Sequence, residues 1–409
     1  MRTRILVISD SPFLNFDTSI YSYDLIKLLI KKDVEVYNLI LNTVIDTEYD
    51  YIKGDFSTLK RFHKDIEFLN EQDKEFLKKV IYVYRCKTSN VENKFLENMI
   101  KEHSISIIIC CISITSNIRL DDKLSIPLIM NIKIDYEPLT KIHYDLIKYA
   151  DVMISNTDHG DLSIKKLDCK NHLVYKINPK IDFKYLDEIS LDRKNINEQI
   201  RKKLNIPKDF IVFLLDLSST NTIDMERKCL DISINIFVEY LKKNDKSFLI
   251  INTVVDNSLK TILKLSGIPG DRYIVINDYY EIYPVRLRDL RSKLYFSADI
   301  MLGLSGGEDY SLSTIEAQYI GLPVILNQLQ FYEESNYIGE IADKSQDIYL
   351  ATDVQTYIKM PNIKNCLALV TKMINNLGKY KINDSIRLKI RDKYEKEFDE
   401  RWSVLLRGF

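Results

Sequence analysis

The sequence predicts an α/β fold made of two consecutive units, each a parallel sheet covered by helices, with a central cleft between them. Short runs rich in β-branched residues alternate with amphipathic helical stretches along the 409 residues. The predicted strands are almost continuously apolar, which is typical of parallel strands buried on both faces. The alternation pauses once, in a charged stretch at residues 182–203, and then resumes. Ligands of open parallel sheets bind beyond the carboxyl ends of the strands, so the cleft is the expected binding site.

The first unit opens with a strand predicted at residues 4–9 and a helix at 19–32, where apolar side chains recur at helical spacing. Those side chains are Ile20, Tyr23, Leu25, Leu28 and Leu29. Further strands are predicted at residues 34–40, 80–84, 105–112, 127–132, 152–156 and 172–177. Residues 182–203 show no strand pattern, and we interpret them as a linker with a solvated helix.

In the second unit, strands are predicted at residues 211–217, 248–254, 273–276, 299–302 and 324–326. Residues 382–406 form a long charged helical pattern without a strand partner, which we expect to return to the first unit. The predicted division is a first domain at 1–195 and a second domain at 196–381. A C-terminal helix within 382–409 is expected to pack on the first domain.

The composition argues against several classes of protein. The 58 basic and 59 acidic residues give a net charge of -1, which disfavours a dedicated nucleic-acid binder. The six cysteines form no C-x-x-C pair, so neither a zinc site nor a disulfide framework is expected, and a reducing compartment is favoured. The apolar core at the N-terminus is too short for a signal peptide, and the longest apolar stretch has the length of a strand. We therefore expect a cytoplasmic protein.

A weak peripheral contact with a membrane is a further expectation, provided that basic residues of the first unit cluster on one surface. Dispersed, solvated lysines are the simpler interpretation of the same residues. They are Lys27, Lys31, Lys32, Lys60, Arg61 and Lys64.

The segment at residues 298–326, ADIMLGLSGGEDYSLSTIEAQYIGLPVIL, carries the most informative chemistry. Its pattern predicts a strand, a glycine turn, a helix and a second strand. Gly306 and Gly307 allow the backbone to turn tightly and to approach a ligand. The helix that begins near Ser311 directs free N–H groups and its positive dipole end toward the cleft, which suits a phosphate or diphosphate. Glu308 and Glu316 flank this helix start at E-x7-E spacing.

This segment resembles the donor-site signature of the retaining GT-B glycosyltransferases of family 4, the group 1 type. The matching residues are Ala298, Asp299, Ser305, Glu308, Leu312, Glu316, Ala317, Gly321, Pro323, Val324 and Ile325. The family's Gly-Phe-Gly is replaced by Asp309-Tyr310-Ser311, which keeps the aromatic residue and loses both glycines.

Other segments extend the resemblance across residues 125–330. Residues 211–231 resemble the first strand and the basic segment of the family's donor domain, and Lys228 aligns with the lysine that contacts the donor diphosphate. Ser218 and Ser219 stand in place of the family's Gly-Arg, and Arg227 is expected to supply the guanidinium. Residues 150–157 and 177–182 resemble two further family segments. Lys133 occupies a position where the family often has a histidine.

The resemblance implies the GT-B fold, with two Rossmann-like, doubly wound domains facing a central cleft. It also implies transfer of a hexose from a UDP- or GDP-sugar to a hydroxyl acceptor with retention of configuration, in glycan or glycoconjugate synthesis. The implied partners are the nucleotide-sugar donor and a glycan, lipid or protein acceptor. No cofactor or metal is expected, because no two aspartates form the Asp-x-Asp pair that holds a divalent ion on the diphosphate.

The resemblance further implies a role for each site residue. Lys228 and Arg227 neutralise the diphosphate, Glu308 binds hydroxyls of the donor sugar and favours a positive anomeric centre, and Glu316 accepts from the ribose. The helix start near Ser311 and Leu312 donates backbone N–H groups to the donor. The other implied donor-binding residues are Asp309, Tyr310, Ser218 and Ser219. Acceptor-side candidates are Asp10, Lys133 and Asp135.

Simpler interpretations of these residues stay open from the sequence. Ser313 and Glu316 could form a capping box without any ligand, and Glu308 could be a solvated loop carboxylate. Arg227 and Lys228 could belong to an ordinary charged helix turn, although cations at a helix start are slightly unfavourable without an anion. His159 is expected at the surface.

Rival functions fit the sequence less well. A glycoside hydrolase needs two carboxyls about 5–9.5 Å apart, whereas residues eight apart along a helix lie about 12 Å apart. A nicotinamide dehydrogenase needs G-x-G-x-x-G after the opening strand, and no glycine occurs there. A catalytically silent nucleotide-sugar-binding or scaffold protein of the same fold stays open as the alternative.

Overall fold

The computed structural model describes residues 2–12, 17–44, 51–62, 71–85, 91–112, 118–135, 138–139, 141–167, 173–217, 227–253, 257–276, 284–350, 356–395 and 397–409. Their helices and strands form two halves. The first half runs from strand β1 to strand β10, and the second half runs from helix α7 to helix α15. A last helix, α16, follows the second half.

The first half is a sheet with helices on its faces. Its strands are β1 (Arg4–Ser9), β2 (Glu35–Val44), β3 (Tyr51–Gly54), β4 (Val80–Arg85), β5 (Val91–Glu92), β6 (Ile107–Ile112), β7 (Ile118–Arg119), β8 (Leu128–Ile132), β9 (Val152–Ser155) and β10 (Leu173–Lys176). Its helices are α1 (Asp17–Lys31), α2 (Phe56–Phe62), α3 (Glu71–Leu77), α4 (Asn93–His103), α5 (Lys141–Ile147) and α6 (Asp158–Lys166). Eight of these strands form the main sheet, in the order β10-β9-β8-β6-β1-β2-β4-β3, and its pairs are parallel except β3 with β4. Strands β5 and β7 pair with each other in a separate, parallel two-stranded sheet.

The second half repeats this architecture. Its strands are β11 (Ile211–Asp216), β12 (Ser247–Asn252), β13 (Tyr273–Ile276), β14 (Ile300–Gly303), β15 (Val324–Asn327), β16 (Gly339–Ala342), β17 (Lys344–Leu350) and β18 (Thr356–Pro361). Its helices are α7 (Phe183–Ser190), α8 (Arg193–Lys203), α9 (Leu230–Leu241), α10 (Asn257–Ser266), α11 (Pro284–Ser297), α12 (Leu312–Tyr319), α13 (Gln330–Ser335), α14 (Ile363–Ile374) and α15 (Asp384–Tyr394). The main sheet is parallel, in the order β13-β12-β11-β14-β15-β16, and β17 and β18 form a separate antiparallel hairpin.

Burial on both faces explains the continuous apolar strands. All six residues of β6 are buried. Cys110 and Cys111 belong to the hydrophobic clusters on opposite faces of the first sheet, as their adjacent positions in one strand predict. The predicted mixture of parallel sheets and covering helices is confirmed.

The charged stretch at residues 182–203 differs from the predicted linker and solvated helix. It forms α7 and α8, and Phe183, Leu186 and Ile196 are buried in the hydrophobic cluster of the second half. Arg201 of α8 is buried as well and donates to Asp299 over 2.8 Å. The division predicted at residue 195 falls inside α8, because the dense charges lie on the outer faces of two amphipathic helices.

The final helical pattern is divided between the two halves. In α15, Ile390 and Tyr394 join the hydrophobic cluster of the second half. In α16 (Glu397–Leu406), Phe398 and Trp402 join the cluster under the first sheet, and the indole Nε1 of Trp402 donates to the Tyr21 hydroxyl over 3.1 Å. The chain end therefore ties the second half to the first.

Within the described part of the chain, no helix combines the length and apolar character needed to cross a membrane. The basic residues considered above for membrane contact are partly engaged elsewhere: Lys27 donates to Asp73 over 2.7 Å and, like Lys31, lies over the ring of Phe76. Lys64 lies outside the described residues.

Candidate active site

The carboxyl ends of strands from both sheets meet in the cleft between the halves. Lys133 and Asp135 follow β8, and Asn156 follows β9 in the first half. In the second half, residues 304–311 connect β14 to α12, and Arg227 and Lys228 lie against this connection. Parallel strands place their carboxyl ends at one edge of a sheet, so residues distant in sequence converge there.

Five of the converging side chains form a charged cluster with Glu308 at its centre. Its members are Lys133, Asp135, Arg227, Lys228 and Glu308. The Glu308 carboxylate is fully buried and accepts a hydrogen bond from Lys228 Nζ. Lys133 Nζ lies 3.3 Å from Glu308 Oε1, and Arg227 Nη1 lies 3.7 Å from Oε2. Three cations therefore face two carboxylates within this cluster, which leaves one positive charge in excess there. The interpretation of Glu308 as a solvated loop carboxylate is wrong.

Asp135 joins the charged cluster from the first half. Its carboxylate lies 3.3 Å from Lys133 and 3.7 Å from Arg227, and it accepts from the Asp309 backbone N–H over 3.1 Å. Burial raises the pKa of this carboxyl, but the charges of Arg227, Lys133 and Lys228 outweigh burial and lower its pKa to about 2. Asp135 is therefore ionised at neutral pH.

The two glycines of the connection make room for neighbouring backbone, Gly307 for the first half and Gly306 for strand β18. A Cβ at Gly307 would overlap the backbone oxygen of Asp135, and a Cβ at Gly306 would lie 2.9 Å from the oxygen of Lys359. The Gly306 N–H donates to the Arg227 oxygen over 2.6 Å. The close approach predicted for these glycines is thus an approach to neighbouring backbone.

Asp309 connects the two halves through its side chain. It is completely buried and accepts from Asn156 Nδ2 over 2.8 Å and from Thr157 Oγ1 over 3.0 Å. Burial raises the pKa of Asp309 to about 7; the nearby charge of Asp135 raises it as well, while the two hydrogen bonds oppose the rise. The adjacent Tyr310 is also buried, with its ring 5.5 Å from that of Phe331. Both side chains thus contact protein groups.

Glu316 lies in a second buried network, within the second half. Its Oε2 accepts from Arg291 Nη2 over 2.7 Å, and Arg291 Nε lies 4.0 Å from Asp216. Asp216, the last residue of β11, also accepts from the Tyr295 hydroxyl over 2.7 Å and from Asn252 over 2.9 Å. The pairing of Glu316 with Arg291 was not predicted. Of this network, the sequence indicated only that Asp216 lies near the carboxyl end of the strand predicted at residues 211–217.

The capping box considered for Glu316 does not form. Helix α12 begins at Leu312 with Ser311 as its N-cap, so Ser313 lies inside the first turn. Since a capping box needs the cap residue three positions before the glutamate, Glu316 is out of register by two residues. Its carboxylate is bound by the guanidinium of Arg291 instead.

The cleft contains a cavity of about 280 Å³ that is lined by both halves. The first half contributes Ile134, Asp135, Pro138 and His159, and the second half contributes Gly306, Gly307, Glu308, Leu329, Gln330, Phe331, Asp347, Tyr357 and Lys359. Acidic, basic and amide groups thus share this lining with apolar side chains.

The prediction that His159 lies at the surface is wrong. His159 follows the Thr157 N-cap of α6, is buried, and its Nδ1 lies 3.1 Å from Gln330 Oε1 across the cleft. The polar turn around it lies at the carboxyl end of β9, which faces the second half.

The remaining predicted residues fall in different places. Asp10 follows β1 and is half-buried, while Ser311 and Leu312 are buried at the start of α12. Ser218 and Ser219 lie outside the described residues. Residues 2–12, 17–44 and the rest of the described ranges contain no group of three or more His, Cys, Asp or Glu side chains arranged to hold a metal ion.

Comparison with known proteins gives the fold a name. No protein-family model and no curated protein matches the chain. Among solved structures, sucrose-phosphate synthase from Thermosynechococcus elongatus has a TM-score of 0.64 at 13% identity, with 100% of this chain and 99% of that chain covered. HepE from Anabaena, in complex with UDP and glucose, has a TM-score of 0.64 at 11% identity and full coverage of both chains. The chain has the GT-B fold.

A third structure agrees with this assignment. WaaG, a glycosyltransferase involved in lipopolysaccharide biosynthesis, has a TM-score of 0.57 at 11% identity, with 97% of this chain and 95% of that chain covered. The predicted GT-B fold is therefore confirmed. Within it, the cleft brings together Lys133, Asp135, Arg227, Lys228 and Glu308, which the sequence places up to 175 residues apart.

Proposed function

We propose that the protein is a glycosyltransferase that moves a hexose from a UDP- or GDP-sugar to a hydroxyl acceptor. The observation that carries this proposal is the charged cluster, where three cations surround one buried carboxylate beside the start of α12. A cluster with one positive charge in excess, beside a helix N-terminus, suits a diphosphate. The structures of HepE with UDP and with UDP-glucose, on the same fold, support this choice of donor.

Lys228 and Arg227 are the proposed ligands of the donor diphosphate. Lys228 donates a hydrogen bond to Glu308. The arriving diphosphate replaces the Glu308 carboxylate as the partner of the Lys228 ammonium group. The released Glu308 then accepts from hydroxyls of the donor sugar. Glu316, held by Arg291, is proposed to accept from the ribose.

The proposed transfer needs no protein nucleophile and no metal. The acceptor oxygen bonds to the anomeric carbon while the bond from that carbon to the phosphate oxygen breaks, leaving its electron pair on the diphosphate. A donor phosphate oxygen takes the acceptor proton, so the new bond forms on the face that the diphosphate leaves and the configuration is retained. Lys228 and Arg227 stabilise the growing negative charge, which is the largest contribution expected here.

A catalytically silent nucleotide-sugar-binding protein is the second candidate function. It is favoured by the Asp309 side chain, which fills the position of a family glycine and is bonded to Asn156 and Thr157. Such a protein would bind nucleotide-sugars and release no free nucleotide with any acceptor.

The proposal is tested by incubating the protein with UDP- and GDP-sugars and measuring free nucleotide. We expect release with at least one donor, and we expect Lys228→Met to lower turnover roughly 10²-fold or more, since one stabilising donor to the leaving group is lost. Lys208→Ala, which removes an exposed lysine, is the matched control and should turn over like the wild type. Binding without release would favour the silent protein, and unchanged turnover in Lys228→Met would refute the site.

A further inference from the structure

The β17–β18 hairpin is a feature that the sequence did not predict, and it borders the cleft. Its strands pair antiparallel, with Asp347 opposite Lys359 and Tyr349 opposite Tyr357. Directly opposed residues of an antiparallel pair share one face of the sheet, and so do residues two apart on each strand. These four side chains therefore form one face of the hairpin.

The two faces of the hairpin have different surroundings. On the inner face, Ile358 is buried and Met360 packs against the hydrophobic cluster under the second sheet. On the other face, Asp347, Tyr357 and Lys359 all line the cleft cavity. The Tyr349 and Tyr357 rings lie 5.2 Å apart and are 50% and 46% exposed. The hairpin thus presents aromatic and charged groups to the cavity.

Backbone contacts fix the hairpin on both sides of the cleft. The Lys359 N–H donates to the Gly306 oxygen over 2.8 Å, and Asn327 Nδ2 donates to the Lys359 oxygen over 2.6 Å. From the start of β18, Thr356 Oγ1 donates to the Pro138 oxygen of the first half over 3.1 Å. The hairpin is therefore a fixed wall of the cavity, joined to the same glycine connection that carries Glu308.

We propose that this cavity binds a carbohydrate, and that the β17–β18 hairpin is its recognition wall. Sugars present hydroxyls together with apolar C–H faces, so their sites combine polar side chains with exposed aromatic rings. Here the carboxylate of Asp347, the amide of Gln330 and the imidazole of His159 lie in one lining with the Tyr357 ring. About 280 Å³ is small for a ligand pocket and suits a terminal sugar ring, with the rest of a glycan passing over Tyr349.

The position of the cavity assigns this sugar to the acceptor, a step that rests on the proposed function. Gly306, Gly307 and Glu308 line the cavity, so its ligand reaches the connection where the donor sugar is proposed to lie. Among the described residues, neither Lys228 nor any residue of α12 lines it. The proposed diphosphate site and this cavity therefore adjoin at Glu308 and Asp135, while Lys228 and α12 lie outside the cavity lining.

The test uses the full-length protein on an immobilised glycan array in the presence of UDP or GDP. We expect the wild type to bind a subset of glycans, Tyr357→Ala to bind them at least about tenfold more weakly, and Tyr357→Phe to retain binding because it keeps the ring. Tyr175→Ala, which removes a half-exposed tyrosine from β10, is the matched control. Calorimetry with a UDP- or GDP-sugar should give the same affinity for all four proteins.

Each outcome is decisive for the hairpin. Full glycan binding by Tyr357→Ala, or no glycan bound by the wild type, would overturn the proposal, and the latter result would favour a protein or lipid acceptor. An equal loss of nucleotide-sugar affinity in Tyr357→Ala would assign the cavity to the donor and overturn the acceptor assignment. Failure of the proposed function can be distinguished from failure of this proposal. A protein that binds glycans through Tyr357 but releases no nucleotide would support the carbohydrate site and contradict the transferase activity.

Discussion

Asp309 shows how one residue can make the contact between the halves depend on pH. Ionised, its carboxylate accepts from both Asn156 and Thr157. Protonated, it costs less to bury but has one acceptor oxygen fewer for these donors. The pKa of about 7 places the change between these forms near neutral pH.

The stability of the protein should record this titration. Because the folded state binds the Asp309 proton up to about pH 7 and the unfolded chain only up to about pH 4, stability falls as pH rises between these values and is then constant. We expect Asp309→Asn to remove this fall. The free energy of unfolding of the variant minus that of the wild type should therefore increase between pH 4 and pH 7, by about 4 kcal/mol at most.

Urea unfolding of wild type and Asp309→Asn between pH 4 and 8.5 measures the difference. Asp245→Asn, at an exposed position, is the control and should follow the wild-type curve. A difference between Asp309→Asn and wild type that does not vary with pH would contradict the raised pKa of Asp309.

Among the elements, α16 shows how a charged terminal helix can be essential to the core. Its outer face is charged, but Phe398, Trp402 and Leu405 lie in the cluster under the first sheet. The Tyr21 ring of α1 contacts both Phe398 and Trp402 edge to face, with centroids 5.2 and 6.4 Å away. The first half is therefore completed by residues from the far end of the chain.

Trp402→Ala should destabilise the protein by about 3–5 kcal/mol, because it opens a cavity in this core and removes the indole partner of the Tyr21 hydroxyl. The free energy of unfolding from urea titration measures this loss. Val404→Ala, on the exposed face of the same helix, should stay within about 0.5 kcal/mol of wild type. Equal effects of the two substitutions would show that α16 does not support the core.

At the scale of the whole molecule, the contacts across the cleft hold the halves at a fixed distance. The backbone of Asp135 faces Gly307 directly, and His159 contacts Gln330 nearby. Because Glu308 and Lys133 come from different halves, the charged cluster exists only while this distance is kept.

Gly307→Ala should separate the halves, since its Cβ would overlap the backbone oxygen of Asp135, which cannot rotate away. We expect a larger radius of gyration in small-angle X-ray scattering and a turnover lowered about a hundredfold, because the reacting groups are displaced. Gly270→Ala, whose Cβ would meet nothing within 4 Å, should change neither. A Gly307→Ala protein with the wild-type radius of gyration and turnover would show that the cleft accommodates the added Cβ without separating the halves.

Local pattern predicted most of the framework. The strands at Arg4–Ser9 and Tyr273–Ile276 were predicted with the bounds that the structure has, because both are near-continuous apolar runs. Burial on both faces explains this pattern at Arg4–Ser9, whereas Tyr273–Ile276 is a partly buried edge strand. The glycine connection and the start of α12 were also predicted, since glycines and a helix boundary are set by nearby residues. The short strand β16 and the β17–β18 hairpin were missed, because their mixed polar composition resembles that of loops.

By itself, the sequence determined the alternation of strands and helices, the sites where the chain turns and the residues that carry charge near those turns. Only the tertiary structure decided their partners: three cations around Glu308, Arg291 on Glu316, and His159 in the cavity. The physical reason is that periodicity reports which faces are buried, whereas pairing across a cleft depends on how two sheets meet. Arg201 and Trp402, which lie in charged stretches, are buried for the same reason.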